Sequence, residues 1–268
     1  MGKSDAPGPW ASRPADRPRD ELPKISVIGG TGRMGVHLCA AWAEAGYTVT
    51  MCSRSKGKAQ EIVNELLAGK GYQRRVTGLN AGQGDYCVPP CDAKDWRLKA
   101  GDNGTAAEAD LIVLGTMYEK AWPILEEIAP IIRGKGKKIL DMTNPFMARP
   151  DGFGAGLPKE GPQAGILIHK SRLDDPTCQW VGAYKHVLWT LILPTGPKNP
   201  GRPDIEVFGD PGAVSDVVEL IYRHGWRPIV RGALEVAPDY EGGKISFGKL
   251  WHNIRKECMQ GEKLSVGW

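Results

Sequence analysis

Lys24 to Arg54, KISVIGGTGRMGVHLCAAWAEAGYTVTMCSR, constrains the fold more than any other part of the chain. Ile25 to Ile28 is an unbroken apolar run of strand length. It enters Gly30-Thr31-Gly32-Arg33-Met34-Gly35, after which apolar residues recur at helical spacing as far as Ala45. Gly46 closes that helix, and a second apolar run ends at Cys52-Ser53-Arg54. A strand, a glycine turn, a helix and a second strand in this order predict a βαβ unit, and with it a parallel sheet.

The three glycines of the turn have separate mechanical jobs. Gly30 permits a tight exit from the strand, and Gly32 removes a Cβ that would keep a pyrophosphate off the backbone. Gly35 lets the helix pack closely on the strand. The free N–H groups of a helix opening near Gly32 suit an anion, and Thr31 adds a hydroxyl beside Arg33 and Met34. An ordinary βα turn that binds nothing is the plain alternative, and the flanking strands weigh against it.

Ser53 and Arg54 stand where an acidic residue would hold a ribose 2′-hydroxyl. A carboxylate there repels a 2′-phosphate, whereas a guanidinium pairs with it and stacks on the adenine. The Ser53 hydroxyl and Lys58 add a donor and a charge. NADP(H) is therefore the expected cofactor, against the alternative of a solvated basic turn.

At 268 residues and 41% hydrophobic, the chain can bury one full-sized α/β core. Residues 1–22 are rich in Pro and Arg without an apolar run and read as a disordered leader. Residues 23–268 then form a single domain. A net charge of +4 with mixed signs is too diffuse for a nucleic-acid partner. No segment reaches membrane-spanning length, so a cytoplasmic protein is expected.

Six cysteines in a chain this long do not form a disulfide framework. Cys39 and Cys52 fall on core faces, and Cys87-Val88-Pro89-Pro90-Cys91 lacks the second ligand pair that a metal needs. No metal site is expected.

Beyond Arg54 the elements keep alternating. Helices are expected at Lys58–Ala68, Glu119–Ile132, Gln163–Arg172, Gly212–His224 and Lys244–Met259. Strands are expected at Asp110–Thr116, Lys138–Met142, Gln179–Tyr184, Asp204–Phe208 and Pro228–Val230. Two long polar stretches, 71–103 and 146–161, read as inserted loops. This order describes a Rossmann-type, doubly wound, mostly parallel α/β sheet.

IGGTGRMG with its Ser-Arg strand end, ADLIVLGTMYEKAW, KKILDMTNPF and VFGDPGAVSDVVELIYRHGWRPIVRGALE follow one another in one order. Together they resemble the coenzyme F420-dependent NADP oxidoreductases, a group related to the N-terminal domains of pyrroline-5-carboxylate reductases. The resemblance implies that Thr31, Gly32, Arg33 and Met34 form the pyrophosphate turn and that Ser53, Arg54 and Lys58 form the 2′-phosphate pocket. It also implies that Gly115, Thr116 and Met117 pass beneath the nicotinamide side, with Asn144 and Pro145 beside the ring. Gly182 to His186 align with a strand end at the substrate face.

The implied reaction is hydride transfer between the nicotinamide and either a deazaflavin- or flavin-like co-substrate or a small carbonyl or imine. A stacked flavin-type ring needs no side-chain acid, whereas a carbonyl or imine needs a proton donor. Lys185 and His186 are the leading donor candidates, with Tyr118 and Tyr184 behind them. A short-chain dehydrogenase is rejected because its Tyr-x-x-x-Lys spacing occurs only at Tyr240–Lys244, broken by glycines and late in the chain. A non-catalytic NADP(H) sensor or partner-binding protein is the alternative of another class. A homodimer is expected from the resemblance and from the apolar-aromatic terminal helix.

Overall fold

The computed structural model of the chain describes residues 17–74, 86–149, 152–187 and 204–241. Its centre is an eight-stranded sheet. Chain order runs β1 (Ile25–Ile28), α1 (Arg33–Glu44), β2 (Thr48–Cys52), α2 (Lys56–Leu67), β3 (Tyr72–Arg74), β4 (Tyr86–Val88) and β5 (Arg97–Gly101). A short α3 (Asn103–Ala106) precedes β6 (Leu111–Leu114), α4 (Tyr118–Ile132) and β7 (Lys138–Asp141). Then come β8 (Phe146–Arg149), β9 (Gly152–Ala155), α5 (Gly165–Leu173), β10 (Gln179–Gly182), β11 (Asp204–Gly209), α6 (Pro211–Arg223), β12 (Arg227–Gly232) and α7 (Ala237–Tyr240).

The strands lie in the order β5-β2-β1-β6-β7-β10-β11-β12. All neighbours from β5 to β10 are parallel, β11 runs antiparallel to β10, and β12 is parallel to β11. The sheet is thus doubly wound and mostly parallel. Its strand order reverses at the β1–β6 boundary, where such sheets open a crevice at their carboxyl ends.

Strand side chains alternate between two cores. Val27, Val113, Leu140 and Val181 face α1, α2 and α6, where Trp42, Leu66 and Leu220 are buried. Ile28, Leu114, Ile139 and Trp180 face α3, α4 and α5, with Leu125, Ile128 and Ile166. Both faces of the central strands are covered, which is why they read as continuous apolar runs.

Three expectations need correction. Stretch 71–103 is more than a loop: β3 and β4 pair as an antiparallel ribbon, and β5 joins the main sheet beside β2. As an edge strand, β5 buries Leu98 and leaves Arg97 and Lys99 exposed, so its sequence lacks an apolar run. Stretch 146–161 likewise contains the β8–β9 hairpin. Residues 17–22, expected within the leader, pack on the fold. Arg17 pairs with Asp216 at 3.1 Å and with Glu219, and Leu22 enters the core.

Residues 1–16 and the terminal helix expected at 244–259 lie outside the described residues. Among the described residues, no helix is long and apolar enough to cross a membrane. No group of three His, Cys, Asp or Glu side chains there could hold a metal ion.

Candidate functional site

At the carboxyl end of β1 the chain makes the glycine turn, and Gly29 rather than Gly30 carries its left-handed residue, with φ +77°. A Cβ on Gly29 would lie 2.8 Å from Gly115 O, so β1 and β6 approach here backbone to backbone. Gly30 N donates to both Val27 O (3.0 Å) and Cys52 O (2.9 Å), tying the turn to the end of β2. A Cβ on Gly35 would sit 2.6 Å from Gly30 Cα, so α1 can begin this close to the strand only with glycine there. Gly32 caps α1 without a side-chain hydrogen bond, and no acid occupies the first turn. That end presents the positive dipole of α1 to an anion.

Beside this turn, Thr31 Oγ1 donates to Ser53 Oγ at 3.3 Å, and Ser55 N reaches the same Ser53 oxygen at 3.3 Å. Ser53 N donates to Gly101 O of β5 at 3.1 Å. The unforeseen edge strand is therefore what holds the end of β2 in place. Ser55 caps α2 by accepting from Lys58 N at 3.4 Å. Arg54 and Lys58 are exposed, and among the described residues neither has an ion-pair partner. Asp102, at the end of β5, uses its carboxylate to cap α3 through Thr105 N (2.8 Å) and Thr105 Oγ1 (2.7 Å).

Across the crevice, Gly115 N donates to Ile28 O at 3.0 Å, and Thr116 is half-buried. Met117 is 43% exposed and caps α4. At the end of β7, Asn144 Nδ2 donates to Lys185 O at 2.7 Å, which joins the β7 and β10 ends, and Pro145 is buried.

Below this segment lies a sealed group of ionisable side chains. Asp141 Oδ1 accepts from Thr143 N and Thr143 Oγ1, each at 2.8 Å, and lies 3.2 Å from Lys185 Nζ. Asp141 Oδ2 is 2.7 Å from His169 Nδ1. Lys185 Nζ also donates to Thr143 O at 2.7 Å. Its contact with Glu241 Oε1, at 2.9 Å, is a charge pair that lies off the hydrogen-bonding line. Glu241 Oε2 accepts from Gly165 N at 2.8 Å, at the start of α5. The His169 ring packs on Tyr118, with centroids 5.0 Å apart.

Burial acts on all three charged members, and the neighbours decide the outcome. For Asp141 burial would raise the pKa, but the Lys185 ammonium and His169 overcome it and hold the carboxyl well below its usual range. Burial would lower Lys185, but Asp141 and Glu241 outweigh it and push the ammonium up. For Glu241 burial is reinforced by the Asp141 charge, so its carboxyl is raised despite Lys185.

Lys185 was expected as a proton donor, and this placement gives it a different part. Its side chain is 2% exposed, its donors reach Thr143 O and Asp141 Oδ1, and Glu241 Oε1 pairs with it by charge, so it sits as an internal counterion. His186 is half-buried, with Nε2 2.9 Å from Tyr240 O and Nδ1 3.0 Å from Glu206 Oε2. Both ring nitrogens face obligate acceptors. Tyr184 is core: its hydroxyl meets His224 Nδ1 at 3.2 Å, and its ring meets Trp42 edge-on at 5.9 Å. Tyr184 also adopts a left-handed backbone (φ +58°), and this turn sends Lys185 back toward Asp141.

Residues 24–145, from β1 through the Asn144–Pro145 turn, match the model of the NADP oxidoreductase, coenzyme F420-dependent, family. The match spans a little under half of the chain. No curated protein matches the chain. Among solved structures, a hypothetical protein of Sinorhizobium meliloti is 19% identical, with 84% of this chain and 92% of that one covered at a TM-score of 0.63. A candidate F420-dependent NADP reductase of an Arthrobacter species is 21% identical, with 89% and 95% covered at a TM-score of 0.59. An imine reductase of Myxococcus stipitatus in complex with NADP+ is 16% identical at a TM-score of 0.55; the match covers 89% of this chain and 63% of that one. At these identities the structural neighbours show the fold alone, and the likeness to NADP oxidoreductases rests on the matched stretch.

The glycine turn, the Ser53-Arg54 end and the Asn144 turn stand out in the sequence, whereas Asp141, His169 and Glu241 do not. Two of the three left a signal. Asp141 ends the apolar run Lys138–Asp141, and His169 follows Ile166-Leu167-Ile168, so both are polar groups in core-like surroundings. Glu241 follows a short helix in a polar stretch and carries no such mark.

Proposed function

We propose that the chain is an NADP(H)-dependent reductase whose acceptor is a planar deazaflavin- or flavin-like ring. The cofactor would lie across the carboxyl ends of β1, β2, β6 and β7. Gly29 to Arg33 and the start of α1 would hold the pyrophosphate, and Met34 would flank them. Ser53, Arg54 and Lys58 would hold the 2′-phosphate. Gly115, Thr116, Met117, Asn144 and Pro145 would line the nicotinamide end. The observation that carries the cofactor assignment is the glycine turn itself. Cβ atoms at Gly29 and Gly35 would collide with backbone, and α1 opens on a glycine N-cap with no acidic residue in its first turn.

When bound, the nicotinamide supplies the hydride chemistry. The chain's own tasks are orientation and exclusion of water. Thr143 and Asn144 are braced from below by Asp141 and Lys185, so the segment beside the ring is held on a rigid support. The engaged state of the two donor candidates supports the ring acceptor. Lys185 is sealed among carboxylates, and both nitrogens of His186 already face acceptors. A ring stacked on the nicotinamide requires no further acid. A small imine or carbonyl is the second reading, favoured by the imine reductases among the structural neighbours. For that reading Tyr118 is the remaining donor, since its phenol has no hydrogen-bond partner among the described residues.

The test is loss of NADPH fluorescence when deazaflavin, flavin or cyclic-imine acceptors are added to the protein. Turnover with the ring acceptors alone supports the proposal, and turnover with the imine alone supports the second reading. Tight NADPH binding without turnover across the panel would make the chain a sensor.

A further inference from the structure

We infer that the sealed Asp141–His169–Lys185–Glu241 group is an electrostatic selector that favours the oxidised, cationic cofactor over the reduced one. The inference rests on the NADP(H) reading above and deepens it. Two carboxylates face one ammonium, and the imidazole serves Asp141 by donating from Nδ1 at 2.7 Å. Counted over Asp141, Glu241 and Lys185, the group carries one surplus negative charge. Water cannot screen it, because all four side chains are at most 2% exposed.

The position of this charge gives it a use. Asp141 ends β7 and Lys185 follows β10, at the carboxyl edge where open α/β sheets bind ligands. The group is bonded directly to the segment proposed to flank the nicotinamide: Asp141 holds Thr143 N and Oγ1, Lys185 holds Thr143 O, and Lys185 O holds Asn144. An oxidised nicotinamide carries a positive charge that the reduced ring lacks. The two forms are otherwise nearly the same shape, so a fixed negative charge discriminates between them while packing does not. At a separation on the order of 10 Å and an effective dielectric of about 20, one unit charge changes such a ratio on the order of tenfold.

Glu241 makes the surplus charge titratable. From the end of β10 it faces Lys185, from β7 Asp141, which carries His169 of α5 on its other oxygen, from α5 the Gly165 and Ile166 N–H groups, and from α4 Tyr118. Asp239 and Tyr240 precede it on its own segment. Burial first, then the Asp141 charge, raise its carboxyl above the usual range, while Lys185 opposes them. Protonation of Glu241 neutralises the group, so preference for NADP+ rises with pH as that proton leaves.

The experiment measures dissociation constants of NADP+ and NADPH on the full chain, with and without Glu241→Gln, across a pH series. The 2′-phosphate is common to both forms, so its own titration cancels in their ratio. The expected result is a wild-type ratio that favours NADP+ increasingly as pH rises. In Glu241→Gln the pH dependence disappears, and NADP+ weakens on the order of tenfold relative to NADPH. A wild-type ratio independent of pH, or a variant that weakens both forms equally, overturns the inference. If Glu241→Gln does not fold, the wild-type pH series decides alone. Absence of binding by either form would overturn the NADP(H) reading itself, an outcome distinct from binding without discrimination.

Discussion

At the proposed phosphate end of the site the chain works with backbone and leaves its charge in water, whereas at the proposed nicotinamide end it places four ionisable side chains out of water. Gly29, Gly32 and Gly35 shape a turn through the atoms they lack, and Arg54 and Lys58 remain exposed beside it. Asp141, His169, Lys185 and Glu241 are buried and pair their charges with one another. The first arrangement can admit a large, strongly charged ligand with little reorganisation. The second resists movement, because displacing any member strands a charge in low dielectric. One end is built to receive and the other to hold still.

The sharpest way to break this contrast is Lys185→Met. It leaves Asp141 and Glu241 buried without their counterion and should cost about 3–5 kcal/mol in urea unfolding. A cost near that of a surface substitution would mean the group is wetter than its burial indicates. Next in size is Gly35→Ala, whose Cβ meets the Gly30 backbone. It should destabilise the fold by about 1–3 kcal/mol and abolish NADP+ binding in a calorimetric titration. Retained binding would separate the turn from the pyrophosphate.

Arg54→Asp should leave stability nearly unchanged and lower the ratio of NADP+ to NAD+ affinity about 10- to 100-fold, as expected for one charge-assisted contact of about 1.5–3 kcal/mol. An unchanged ratio would remove Arg54 from the phosphate pocket.

The smallest effect belongs to Glu206, between His186 and Arg231. Burial would raise its carboxyl, but His186 and Arg231 hold it below the usual range. A depressed carboxyl contributes stability above its unfolded pKa and loses it as pH falls through the folded value. Glu206→Gln should therefore lower the melting temperature slightly at neutral pH, with the gap to wild type closing in acid. A gap that widens in acid would contradict the assignment. A partly exposed pair of this kind contributes at most about 1 kcal/mol.

The glycine turn was legible because its geometry is decided within a few residues. Gly29 to Gly35 must pack a helix start against a strand end, and the sequence displays that requirement directly. The central strands were legible because burial on both faces makes them continuously apolar. β5 was not, since an edge strand needs only Leu98 inside and otherwise resembles a polar connection. Nor was the role of Lys185, which read as a donor until Asp141 and Glu241 were seen around it.

By itself, then, the sequence determined the alternating α/β order, the dinucleotide-type turn and the absence of an acid at the end of β2. These depend on local spacing, chain stiffness and side-chain type. Only the tertiary structure decided which charges are sealed and which are free. Asp141 meets Lys185 across 44 residues, and Glu241 reaches Gly165 across 76. Such pairings follow from strand order and crossover packing, which no local pattern encodes. Burial is the quantity that turns the same lysine from a reactive group into a structural counterion.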